Sequence, residues 1–169
     1  MNYTSAQANK LLKKLNDEYT ALLDKETRSR DFRAAMGEDV ESVRPVYDYA
    51  ETQTRLAALE TKIRKLKHAI NIFNATQTVD SFDMTIDELL VYIPQLTKRK
   101  SKLLEMKSRL PKERVEEQYG RQSNIIDYTY ANYDIAAVEA DYEKAADELS
   151  RAQLALDAVN QRETFEFEE

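Results

Sequence analysis

Eight residues near the middle of the first half of the chain, Tyr49, Thr52, Leu56, Leu59, Ile63, Leu66, Ile70 and Phe73, follow one another in steps of 3, 4, 3, 4, 3, 4 and 3. On a helix this spacing holds every side chain on one narrow stripe, the geometry of a coiled-coil seam. Such a stripe is stable only when a partner helix covers it. Ile135, Val138, Tyr142, Ala145, Leu149, Ala152, Leu156 and Val159 repeat the spacing, and the two alanines would let a neighbouring helix approach closely. Two more apolar patterns complete the set: Ala8, Leu11, Leu15, Tyr19 and Leu22, broadened by Leu12 and Leu23, and Ile86, Leu89, Leu90, Ile93, Leu96, Leu103 and Leu110. The expectation is a mainly α fold. We read it as an elongated antiparallel four-helix bundle made of coiled-coil hairpins, one domain over residues 1–169, with helices about 5–36, 46–74, 85–110 and 135–161.

Residues with mechanical reasons to interrupt a helix mark the boundaries. Thr85-Ile-Asp-Glu88 is a capping box, in which the Thr hydroxyl accepts from the Glu88 amide and Glu88 reaches back to the Thr85 amide. Asp134 suits the cap of the last helix, Pro45 the first turn of the second, and Pro111 the stop of the third. Pro94 falls inside the third pattern and removes one hydrogen bond, so one kinked helix is expected there, or two shorter ones. Lys100 and Lys107 interrupt the third seam, which predicts that its second half faces solvent or a partner. Between Pro111 and Asp134 the helical period fails, and Ile126, Tyr128 and Tyr130 alternate with polar or small residues. That period of two predicts a β-hairpin at about 114–131, pairing residues 114–119 with the Tyr-rich segment through a turn at Gly120. Thr164-Phe-Glu-Phe167 also alternates, and either adds a strand or frays.

Scarcity of particular residues narrows the chemistry. Two glycines, Gly37 and Gly120, cannot build the Gly-rich turns of dinucleotide-binding or P-loop sites or a nucleophile elbow. With no Cys there are no thiol nucleophiles, disulfides or Cys-ligated metals, and a lone His68 cannot make a multi-His site. The residue three before His68 is Lys65, so the Glu-x-x-His of di-metal helical bundles is missing. No catalytic residue, metal or cofactor is therefore expected. The N-terminal segment lacks a basic-then-apolar signal and no apolar run approaches membrane-spanning length, so a cytoplasmic protein without membrane contact is expected. Net charge is −6, unevenly spread: residues 85–114 carry +4 and residues 134–169 carry −8. The two segments are expected to pair within the chain.

Three sets of side chains are candidates for function. Asn71 and Asn74 share one helix face, as do Gln153, Asp157 and Asn160, and parallel second and fourth helices would bring both sets to one end with Arg114 and Thr76 in reach. Such a cluster holds a small ligand or forms a hydrogen-bond network that fixes helix register. Lys98, Arg99, Lys102 and Arg109 resemble a nucleic-acid patch, against which stands a simple solvated face. Tyr119, Tyr128, Tyr130 and Tyr133, concentrated in the hairpin, offer apolar area with polar tips and suit an interface, or a cap over the bundle end.

Lys67-x-x-Ile70-Asn71-x-x-Asn74-x-Thr76, then Thr85-Ile-Asp-Glu88-Leu89, Leu96-x-x-Arg99 and Gln153-x-Ala155-Leu156-Asp157-x-x-Asn160 resemble the septicolysin family of small bacterial proteins, over roughly residues 50–167. The resemblance implies a mostly helical cytoplasmic protein and no established reaction. The reading that joins these strands is a non-enzymatic helical interaction protein that binds itself or a protein partner. An RNA- or tRNA-binding helical hairpin, and a ligand-binding or enzymatic site at the Asn-rich end, are the alternatives.

Overall fold

The computed structural model describes residues 1–115 and 126–168. Its elements run β1 (Asn2–Thr4), α1 (Ser5–Ser29), α2 (Val40–Val43), α3 (Tyr49–Thr76), β2 (Thr78–Val79), β3 (Met84–Thr85), α4 (Ile86–Lys107), β4 (Lys112–Arg114), β5 (Tyr128–Tyr130), α5 (Ile135–Arg162) and β6 (Thr164–Glu166). Three antiparallel strand pairs, β1 with β6, β2 with β3 and β4 with β5, accompany the helices. The chain divides into two compact units, Met1–Gln77 with Ala158–Glu169, and Thr78–Asp157. Helix α5 lies in the second unit up to Asp157 and contributes its last turn to the first.

In the first unit α1 packs antiparallel on α3. Ala8, Leu15 and Leu22 meet Leu56, Leu59, Leu66 and Ile70 in one core cluster, which Phe167 closes. Two polar links cross the pair: Tyr19 Oη donates to Glu60 Oε1 at 2.9 Å, and Glu26 Oε1 accepts from both Tyr47 Oη and Gln53 Nε2 at 2.7 Å. Thr4 and Gln7 form a capping box at the head of α1. Strand β6 pairs with β1, Thr4 facing Thr164, and Phe167 N donates to Met1 O at 2.9 Å. The tail segment therefore adds a strand. Its Phe165 ring stacks on Phe73 with centroids 5.0 Å apart.

In the second unit α4 and α5 run antiparallel. Tyr92 Oη donates to Glu148 Oε1 at 2.5 Å, Lys107 Nζ lies 3.7 Å from Glu143, and Tyr133 Oη donates to Met106 O at 2.8 Å. Ile86, Leu89 and Leu96 are buried on α4, and Val138, Ala145, Leu149 and Ala152 on α5. The Thr85 capping box forms as expected, with Glu88 N donating to Thr85 Oγ1 at 3.2 Å and Thr85 N to Glu88 Oε2 at 2.8 Å. The Thr85 amide, together with the Thr85 hydroxyl at 3.0 Å, donates to Glu88 Oε2 and holds the carboxyl below its ordinary pKa. Asp134 Oδ1 accepts from Ala136 N at 2.9 Å and heads α5.

Several boundaries differ from the sequence reading. The first helix stops at Ser29, not near residue 36, because the stripe beyond Leu22 falls on Glu26, Ser29 and Arg33 and has nothing to bury. The chain then turns at Gly37, whose φ of +87° is the left-handed region glycine tolerates, and makes the short α2 capped by Asp39. Pro45 is not in the first turn of the second helix. That helix begins at Tyr49, with extended Asp48 accepting from Glu51 N at 2.9 Å. Tyr49 is consequently exposed, and Tyr47 takes the place next to α1. The third helix ends at Lys107, where the Ser108 hydroxyl donates to Leu104 O at 2.7 Å. Pro94 leaves α4 a single helix: it is exposed, as is Leu90, whose carbonyl Pro94 cannot serve, so water can satisfy it. The hairpin pairs Lys112–Arg114 with Tyr128–Tyr130, and Val115 N donates to Asp127 O at 3.0 Å; its ladder starts directly after Pro111, whose carbonyl accepts from Ala131 N, two residues earlier than expected, while residues 116–119 of the expected strand lie outside the described residues. The expected Gly120 turn lies outside the described residues. The β2–β3 pair and β1 carry no strong alternation and were not anticipated.

Leu66 is fully buried in the α1–α3 seam. Leu66→Ala is expected to lower unfolding free energy by about 2–5 kcal/mol in a urea titration, whereas Pro94→Ala is expected to raise it by about 2 kcal/mol, since it restores a helix bond at an exposed site. The Glu148 carboxylate that accepts its proton holds the Tyr92 phenol above the usual value of 10.0. A raised folded-state pKa favours the protonated phenol, so this contribution is present below pH 10.0 and lost as pH rises through the folded value. Tyr92→Phe should cost about 1 kcal/mol at pH 7 and flatten the alkaline loss of stability followed by circular dichroism.

Candidate functional site

The polar set divides on folding. Asn71, Gln153 and Asp157 are exposed, whereas Asn74 and Asn160 are half-buried. Among the described residues, the Oδ1 atoms of Asn74 and Asn160 are buried with no hydrogen-bond partner. Both belong to the first unit, on the terminal turns of α3 and α5 that flank the Phe73–Phe165 stack. A buried amide oxygen without a donor costs about 1–3 kcal/mol, so these two positions are energetically costly. Thr76 does not join them, because its hydroxyl donates to Ile72 O at 2.8 Å. Arg114 is also removed from the set: it sits in β4, at the α5 N-terminus, while Gln153 and Asp157 sit at the opposite end of that helix.

The basic set is solvated. Lys98, Arg99, Lys102 and Arg109 are all exposed, and Arg109 pairs with Glu105 one turn back at 3.2 Å. The two seam lysines behave differently from the expectation of an open seam. Lys107 Nζ sits 4.0 Å above the centre of the Tyr142 ring and Lys100 Nζ 6.0 Å from it, so Tyr142 covers this part of α4 within the chain. With the Lys107–Glu143 pair, that is how the basic third helix meets the acidic fourth.

The tyrosines part in the same way. Tyr133 is half-buried and anchors the ribbon base through Met106 O, whereas Tyr128 and Tyr130 are exposed. Their rings lie side by side, centroids 6.5 Å apart, with Lys112 Nζ 4.0 Å over Tyr128 and 5.4 Å over Tyr130. Every residue of β4 and β5 is exposed. Tyr119 lies outside the described residues.

One concave feature escaped the sequence reading. A groove of about 480 Å³ runs between α1 and α3 of the first unit, with Asn16 and Tyr19 on one wall and Ile63, Arg64, Lys67, His68 and Asn71 on the other, beside Glu60. The signal lay in the steps 60, 63, 64, 67, 68 and 71, a second stripe next to the seam, but which helix would face it could not be read from one strand of sequence. His68 is exposed on this wall. Among the described residues no group of three His, Asp or Glu side chains is placed to hold a metal ion, and no helix is long and apolar enough to cross a membrane.

No family model matches the chain, and no curated protein matches it. A solved structure does: the crystal structure of a functionally unknown conserved protein from Corynebacterium diphtheriae is 18% identical, covers 98% of this chain and 100% of its own, and superposes with a TM-score of 0.62. At that identity the likeness shows the fold. It brings no molecular role with it.

The orphaned oxygens make a direct prediction. Asn74→Leu and Asn160→Leu, which remove an unpaired acceptor, should leave the thermal midpoint unchanged or raise it. A loss above about 2 kcal/mol in either variant would show that the amides hold the helix ends in register.

Proposed function

We propose that the chain is a non-enzymatic interaction protein that associates with a second copy of itself through the β4–β5 ribbon and the adjoining face of α4. The observation that carries this reading is the ribbon: both strands are wholly exposed, yet Tyr128, Tyr130 and Lys112 lie against one another and the base is tied to α4 by Tyr133. Exposed aromatics braced in this way offer contact area at low entropic cost. Leu90, Val91, Leu104 and Leu110 add exposed apolar area along or just beyond α4.

Charge complementarity selects a second copy as the partner. The α4 segment retains exposed Lys98, Arg99 and Lys102, and α5 carries exposed Glu139, Asp141 and Asp147, none of which pairs across the two helices among the described residues. The charge that the single chain leaves unsatisfied on one helix is matched by the charge it leaves on the other. The motifs that resemble the septicolysin family fit a protein that has no reaction of its own. They extend the proposal to membership in that family and to a cytoplasmic site of action.

Light scattering tests the proposal. The 19.6 kDa chain should run at twice that mass at tens of micromolar and low salt, and Tyr128→Ala with Tyr130→Ala, or Lys98→Glu with Lys102→Glu, should shift it towards the monomer. All four side chains are exposed, so the variants should keep the wild-type circular dichroism. A wild-type monomer at hundreds of micromolar overturns the proposal. Steeply salt-dependent binding of bulk tRNA, lost in the Lys98/Lys102 variant, would instead give the basic face to nucleic acid.

A further inference from the structure

The groove between α1 and α3 is independent of the ribbon, and two of the side chains that line it, Arg64 and Lys67, are cations without an ion pair among the described residues. Glu60 and Arg64 are four apart in the order that favours a helical ion pair. No such pair forms. Glu60 Oε1 accepts from Tyr19 Oη across the helices at 2.9 Å, a bond strong enough to raise the Tyr19 pKa. Among the described residues Arg64 makes one long contact, Nη2 to Thr61 Oγ1 at 3.4 Å. Lys67, one turn further along the same wall, has no ion-pair partner among the described residues. Asn71, with no side-chain hydrogen bond among the described residues, and His68 follow on that wall.

The geometry points to a binding site for a small organic anion: an oxyanion head, phosphate or carboxylate, carried on a flat apolar body. The head lies against the Arg64 guanidinium and the Lys67 ammonium, whose donors no carboxylate among the described residues engages. The body lies along Ile63 and the Tyr19 ring towards α1, where Asn16 Nδ2 donates to Leu12 O at 2.7 Å. A volume of about 480 Å³ accommodates a head and one or two rings. The Tyr19–Glu60 bond has a defined part in this site: it draws the nearest carboxylate away from Arg64 and so keeps the guanidinium available.

Nitrogen-15 NMR titration of the full chain with inorganic phosphate, phenyl phosphate and benzoate tests the inference. Phenyl phosphate or benzoate should give saturable shifts confined to residues around Tyr19, Ile63, Arg64, Lys67 and Asn71, and whichever saturates at lower concentration identifies the head. Inorganic phosphate should bind about tenfold more weakly, since it lacks the body. Arg64→Gln and Lys67→Gln should each weaken binding by about fivefold to tenfold, with the circular dichroism of the wild type because both residues are exposed. Tyr19→Phe should also weaken it, by releasing Glu60 to pair with Arg64. Three results overturn the inference: no saturable shift up to about 10 mM, the weakest binding expected of such fragments; equal affinity for inorganic and phenyl phosphate; or equal shifts at Lys98 and Lys102, which would mark general attraction of anions to basic helices.

Discussion

Burial of apolar stripes between antiparallel helices is the constraint on which the rest depends. Leu56, Leu59, Leu66, Ile70 and Phe73 are buried along α3, and fully burying side chains of this size contributes about 1.5–3 kcal/mol each. No cap or ion pair here approaches that sum. Hydrophobic burial has no direction, however, so it does not decide how far one helix slides along the other. The polar links at the seam margin do that: Tyr19 to Glu60 and the Glu26 pair with Tyr47 and Gln53 in the first unit, Tyr92 to Glu148 in the second. Each sits where one end stays near water, which spares it the cost of full burial.

The short strand pairs close what the helices leave open. Strand β6 returns to β1 across nearly the whole length of the chain, and Phe165 and Phe167 deliver apolar area to Phe73 and to the α1–α3 core as it does so. Only two or three residue pairs form in each ladder, too few to be stable alone. They persist because helix ends hold them. The β4–β5 ribbon is the exception in burial: its residues are exposed, and Tyr133 fastens its base to α4.

Charge follows a similar division between what the chain uses and what it leaves. Lys107 and Lys100 are spent on Tyr142, and Lys107 also on Glu143. The rest of the basic α4 face and the acidic α5 face stay solvated. In the first unit the diversion of Glu60 to Tyr19 leaves Arg64 uncommitted in a groove. Both proposals rest on such residual charge, at separate places and with separate tests.

Helix identity was legible along the chain because a 3–4 apolar repeat and the Thr85 capping box are local properties, satisfied by residues within a turn or two of one another. The alternation at Tyr128 and Tyr130 was legible for the same reason. Where helices stop was less so: Tyr49 continues the stripe arithmetically, but it is the first residue of α3 and exposed, and Tyr47 from the segment before the Asp48 cap bonds to α1 instead. The candidate site was legible in part. Asn74 and Asn160 were distinguishable as polar residues beside seams, but their neighbours Asn71 and Asp157, equally polar and equally spaced, became exposed. What the sequence alone determined was which residues needed covering. What only the tertiary structure decided was which helix covers them, and hence that the wall from Glu60 to Asn71 faces Tyr19 across a groove, because pairing depends on contacts between residues about 40 positions apart that no local pattern encodes.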